Sequence, residues 1–274
     1  MRVKHRSLLD QYPQLHLIEL NKYLEDNQKS KNILLYSDNW SDGEILEIAA
    51  HGDIHSFLNS NNKNFEGDLQ TALKVHNNPR QLLENPLPLL FIEYPKVLIL
   101  PFLKKEDKAQ LLAQIEPFLQ LTGSRIVYEH TRILFEELFM NAVFDAPSEF
   151  KRLGLKSRIK HCEFILAYDK ENLVISCFDS YGSLNPINLV TRMRDIQNQG
   201  TKNIINLGQR KGGAGIGCSL LYRYSSTMSI VVDKGVGTRV TCSIPLKISQ
   251  KNFYSLGKNL QYFNLSTQGG SSGK

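Results

Sequence analysis

The chain has 274 residues, 33 Lys and Arg against 27 Asp and Glu, a formal charge of +6 and 41% hydrophobic residues. A hydrophobic share near the globular average excludes a largely disordered chain, and a length above roughly 100–200 residues predicts two domains. No apolar run approaches the ~20 residues that cross a bilayer, and the opening MRVKHRSLLDQYPQ lacks a signal-peptide core, so a cytoplasmic protein without a membrane span is expected.

Residues 1–30 are polar, with Leu17, Leu20 and Leu24 at helical spacing. A β/α alternation follows. NILLYSD (32–38) reads as a buried strand, DGEILEIAAHG (42–52) as a helix, Ile54–Leu58 as a strand and LQTALKVH (69–76) as a helix. PLLFIEY and KVLILPF read as strands, and KKEDKAQLLAQIEPFLQ (104–120) as an amphipathic helix. This order predicts an α/β domain with a parallel sheet over about 1–120. LTGSR (121–125) is a joint, and beyond it the pattern changes. A long helix is expected over about 125–145, strands at 161–168 and 172–178, and a polar segment without strong periodicity at 183–211. A glycine cluster, a helix at about 216–225 and strands at 227–233 and 237–246 complete an α+β two-layer sandwich over 121–250. Residues 251–274 are expected to be a flexible tail. Cys162, Cys177, Cys218 and Cys242 have neither zinc-site spacing nor the pattern of a disulfide framework.

Four segments carry candidate chemistry. Glu137, Asn141 and Asp145, spaced i, i+4, i+8, form a polar stripe on the long helix. Such oxygen donors suit Mg²⁺, and the carboxylate one turn earlier can polarise a hydroxyl or water; an ordinary solvated helix face has the same pattern. FDSYG (178–182) places Asp179 at a strand end, where it can accept from the amine of a base or simply make a turn. In GGAGIGCSLL (212–221), Gly213, Gly215 and Gly217 permit close backbone approach, and the following helix offers N–H groups to an anion. It is neither a Walker A loop nor a Rossmann fingerprint. GVGTRVTCSIP (235–245) taken alone is a hairpin.

Taken together and in this order, the four resemble the Bergerat-fold ATPase superfamily, which includes histidine-kinase catalytic domains and anti-sigma-factor serine kinases. Glu137-Leu-Phe-Met-Asn141-Ala is similar to its N box, Asp179 falls at the G1-box aspartate, Gly213-Ala-Gly215-Ile-Gly217 is similar to the G2 box, and Gly237-Thr238 to the terminal strand of kinase-type members. The resemblance covers roughly 125–246. It implies ATP and Mg²⁺ as cofactors, Asn141 as the metal ligand and Glu137 as general base. Asp179 would fix adenine with Thr238 beside it, Gly182 would belong to the same pocket, and the G2 glycines would embrace the triphosphate. Asp145 would contact phosphate-bound water or metal. The segment between the G1 and G2 boxes would be a lid, whose Arg192, Arg194, Lys202, Arg210 and Lys211 neutralise phosphate. The sequence departs from the G1 pattern at Tyr181 and Ser183, and no phosphoacceptor histidine box is present; His130 reads as structural. The expected function is phosphoryl transfer to a partner signalling protein, with a non-catalytic interaction module on the same fold as the alternative. A homodimer is compatible with either, and no basic stripe interleaved with aromatics points to nucleic acid.

The front domain resembles a degenerate response-regulator receiver. ILLYSDN is similar to the first receiver strand, and VLILPFLKKEDKAQLLAQI to the last strand and helix, with Leu100 in place of the lysine. With most of the phosphoryl-transfer set missing, the expectation is a protein-binding or dimerising domain.

Overall fold

Alternation of small, β-branched and aliphatic residues between glycine turns drives the longest strands, and a computed structural model shows where they pair. It describes residues 16–19, 22, 33–38, 40–62, 64–91, 93–155, 161–199 and 214–268. The front region runs β1 (His16–Glu19), β2 (Ile33–Ser37), α1 (Asp42–Ala50), β3 (Ser56–Asn59), α2 (Phe65–Asn77), α3 (Pro79–Glu84) and α4 (Leu87–Leu90). Next come β4 (Lys96–Phe102), α5 (Lys108–Gln120) and α6 (Arg125–Met140), then a π-helical turn (Asn141–Asp145) leading into α7 (Ala146–Arg152). The remainder is β5 (Cys162–Tyr168), β6 (Asn172–Asp179), α8 (Pro186–Gln199), α9 (Ala214–Arg223), β7 (Thr227–Asp233), β8 (Gly237–Pro245), α10 (Gln250–Tyr254), β9 (Asn259–Asn264) and α11 (Leu265–Gln268).

The strands form one nine-stranded sheet in the order β1-β2-β3-β9-β7-β8-β6-β5-β4. The fold is therefore mixed α/β. β1, β2 and β3 are parallel, β9 runs antiparallel to β3 and parallel to β7, and β7, β8, β6, β5 and β4 follow as antiparallel neighbours. One apolar cluster on one face of the sheet joins Ile33, Leu35 and Phe57 of the front strands to Phe135, Phe139, Phe164, Ile175 and Ile244. Each such side chain contributes about 1.5–3 kcal/mol when fully buried. The two regions read as separate domains thus share a sheet and a core.

Several expectations are corrected. Leu17 lies in β1, a strand rather than a helix, and Leu20 and Leu24 fall outside the described residues. Residues 87–90 form a short helix, not a strand: Pro86 and Pro88 lack the N–H groups a ladder needs, and proline suits a first helical turn. β4 does not close the parallel sheet of the front region; it pairs with β5 from Lys96↔Tyr168 to Phe102↔Cys162 and forms the far edge. This breaks the receiver-like arrangement. The expected tail holds a central strand, because Leu260, Tyr262 and Phe263 in LQYFN have apolar surfaces to cover on both faces of the sheet. The polar segment after Asp179 contains α8, whose Leu189, Val190 and Met193 are buried against the rest of the core. All four cysteines are buried and free, and none of the described helices is long and apolar enough to cross a membrane.

Candidate functional site

α6 starts on a Ser124 cap, whose hydroxyl accepts from Val127 N–H at 3.4 Å. Its apolar stripe, Val127, Leu134, Phe135 and Leu138, packs on the sheet and leaves Glu137 at the margin. A regular α-helix would turn residues eight apart about 80° out of line. The π turn at Asn141–Asp145 rotates less per residue and brings Asp145 back under Glu137. Pro147 gives the cause: it has no N–H for the carbonyl of Val143, so the helix widens there rather than breaking. Nothing in the i, i+4, i+8 count alone shows this correction; Ala146-Pro147 is the sequence signal that could have.

Glu137 and Asp145 are both half-buried and feel each other. The Glu137 carboxyl is held above the usual range by burial first, then by Glu136 and Asp145. Asp145 is also raised by burial and drawn back by Arg192 of α8. Cys218 of α9 closes the group: burial pushes its thiol up to about 12, and Arg192, Asp145 and Glu137 all act on it. Gly217 completes the contact, since a Cβ there would lie 2.2 Å from Glu137 Oε2. Three helices thus converge on one acidic spot. Asn141 stands between the two carboxylates in sequence, partly exposed.

At the strand end, Asp179 is 8% exposed, and burial raises its pKa to about 7. Tyr181 N–H donates to Oδ1 at 2.9 Å, and Gly182 N–H also supports the carboxylate. Thr238 sits opposite in register. Its Oγ1 lies near enough to lower the Asp179 pKa, yet it is buried and makes no hydrogen bond of good geometry among the described residues. The turn is fixed by Gly182, at φ +57°, whose missing Cβ would fall 2.1 Å from Asp233 O. Ser183 Oγ donates to Ala146 O at 3.0 Å, tying this turn to the residue after Asp145. The structure therefore brings Asp179, Gly182 and Thr238 together, and Glu137, Asp145 and Gly217 together, with Ser183 as the link. Gly215 is the second residue of α9, while Lys211 and Gly213 lie outside the described residues, as do Lys202 and Arg210.

Tyr181 is buried, its ring edge-on to Phe150 at 5.5 Å. It fills the core between α7 and the turn. Of the segment expected to form a lid, α8 packs on α1, with Arg194 3.7 Å from Glu47. Arg194 thus faces the front region and Arg192 the acidic spot. His130 is 3% exposed between Tyr224 and Phe253, in a structural position. Among the described residues no three His, Cys, Asp or Glu side chains gather to hold a metal by themselves. Mg²⁺ as usually bound takes only one or two protein oxygens plus phosphates and water, so the present donor set fits a metal that arrives with its nucleotide.

No family model matches this chain, and no curated protein sequence does.

Proposed function

We propose that the region from α6 to β8 is a Mg²⁺-dependent ATP-binding module of the Bergerat type that transfers phosphate to a partner protein. The observation that carries this reading is the pairing, at one end of the sheet, of a buried strand-end carboxylate beside an unsatisfied hydroxyl with a second acidic spot formed by three helices. Asp179 and Thr238 offer an acceptor and an idle hydroxyl side by side, the combination an exocyclic amine and a ring nitrogen require. Asn141 would hold the metal through its side-chain oxygen, and bound Mg-ATP would supply the phosphoryl group.

The chain's own residues supply the rest. Glu137, raised by burial and by its acidic neighbours, is poised to take a proton from an attacking hydroxyl. Arg192 balances charge beside Asp145. The G2 backbone closes on Glu137 because Gly217 has no side chain. A nucleotide-free interaction module is favoured by one observation, the Tyr181 ring packed into the core beside Asp179.

Thermal shift with Mg-ATP separates the two. Ligand at about 100 times its dissociation constant stabilises a binding fold by ~2.7 kcal/mol. Such a shift is expected, with Glu137→Ala keeping it while losing turnover. Absence of a shift with ATP and ADP would leave the interaction module as the function.

A further inference from the structure

The face of the sheet opposite α6 is not lined as a packed sheet face should be. Its strands register Ser176↔Thr241, Thr241↔Ser229, Ser229↔Gln261 and Gln261↔Ser56, so one row of polar side chains crosses β6, β8, β7, β9 and β3. All five are at most 3% exposed. The next row runs Ser243, Thr227 and Asn259. Cross-strand neighbours in such a grid stand about 4.5–5.5 Å apart, and successive rows about 6.7 Å apart. Apolar residues resume on both sides: Leu34 and Leu58 toward β2, Val174 and Ala167 toward β5.

Over this grid lies a cavity of about 490 Å³, roofed by α2 and bounded by Leu90 and the segment around α10. Its size is that of small-molecule sites. The row is only partly self-satisfied. Ser176 and Thr241 share a bond of 2.8 Å, and Gln261 Nε2 donates to Ser56 Oγ at 3.1 Å and Ala72 O at 3.0 Å. Ser229, between these pairs, bonds to no described side chain. At the α2 wall, Asn62 and Asn259 each donate to Asp68 Oδ2 at 3.1 Å, which leaves Oδ1 to accept from a ligand. Asn62 Oδ1 is buried without a partner among the described residues. Burying such groups idle costs free energy, so a partner is expected for them.

We infer that this cavity is a binding site for a small neutral polyol, of the size of a monosaccharide. Alternating hydroxyl and amide side chains both donate and accept, as a ring of hydroxyls requires. Charge argues the same way. Lys247, the cation of the lining, is 3.1 Å from Glu171 and so is already engaged, which disfavours a phosphate or carboxylate. Asp68 accepts from hydroxyls and needs no counter-ion from the ligand.

The test uses the full chain with D-glucose, D-ribose and myo-inositol as probes, followed by saturation-transfer NMR and thermal shift. At least one should bind saturably at millimolar concentration, with Ser229→Val weakening it about tenfold, the effect of losing one or two hydrogen bonds. Thr227→Val, which also removes an acceptor of Asn259 Nδ2 at 3.2 Å, should weaken binding likewise should Ser229→Val fail to fold. Mg-ATP should leave polyol binding unchanged, and inorganic phosphate and glycine should bind more weakly than the best polyol. No saturable binding by any of the three polyols, indifference to both substitutions in folded protein, or tighter binding of phosphate or glycine would overturn the assignment.

Discussion

The two faces of the sheet are buried by different chemistry. On the α6 face, Val240, Cys242 and Ile244 of β8 meet Leu134, Phe135 and Leu138, and the acidic groups stand at its margin, Asp179 at a strand end and Glu137 on α6. On the other face the same strand presents Arg239, Thr241 and Ser243, and the polar groups lie mid-strand. Arg239 is 2% exposed; it donates to Leu83 O at 2.7 Å, lies 3.4 Å from Glu163 and stacks over Phe178. The first face is held by apolar area and can tolerate function only at its margin. The second depends on hydrogen-bond completeness, which makes its weak points local.

The comparison breaks most readily at the apolar face. Phe164→Ala, in the stack of Phe102, Phe135 and Phe139, should cost about 3–5 kcal/mol in denaturant unfolding. Gly182→Ala combines left-handed strain with a backbone collision and should cost roughly 2–5 kcal/mol, with loss of any nucleotide binding. On the polar face, Gln261→Ala removes a donor from Ala72 O and one from Ser56 Oγ, which keeps His76 Nδ1 at 2.8 Å, and should cost about 1–3 kcal/mol. A cost near zero would mean that the row is hydrated and holds no structural bonds.

The remaining effect is in the pH profile. Asp179 has a folded pKa near 7 against 3.8 unfolded, so the folded state holds the extra proton between those values. Stability from this group is therefore greatest below about pH 4 and declines as pH rises to 7. Asp179→Asn should stabilise the chain increasingly over that interval relative to wild type. Equal stabilisation at pH 4 and pH 8, read from urea midpoints, would contradict the burial of an ionisable carboxyl.

Much of this was legible in local pattern. The alternation in TRVTCSIP gives the two faces of β8, and the spacing of Glu137, Asn141 and Asp145 gives the helix that carries the acidic spot. Alternation cannot say whether a polar face meets water or protein. Thr241 and Ser229 lie on the polar side of their strands, and the face they line is roofed by α2, a helix more than 150 residues earlier in the chain. Likewise, YFN at 262–264 reads as part of a tail because its partners, His55 O for Tyr262 N–H and the edge of β7, are distant in sequence. The turn at Pro147 was written in the sequence, but its consequence required the phase of the whole helix.

The central claim is that Asp179 and Thr238 receive a purine. Isothermal titration of adenosine, which carries no phosphate to titrate, into wild-type protein from pH 6 to pH 8 tests it most directly. Binding should strengthen as pH rises through about 7, as the carboxyl loses its proton and becomes the acceptor, and Asp179→Asn should lose both the affinity and its pH dependence. Adenosine that binds Asp179→Asn as tightly as wild type, or binds neither protein at any pH, would contradict it.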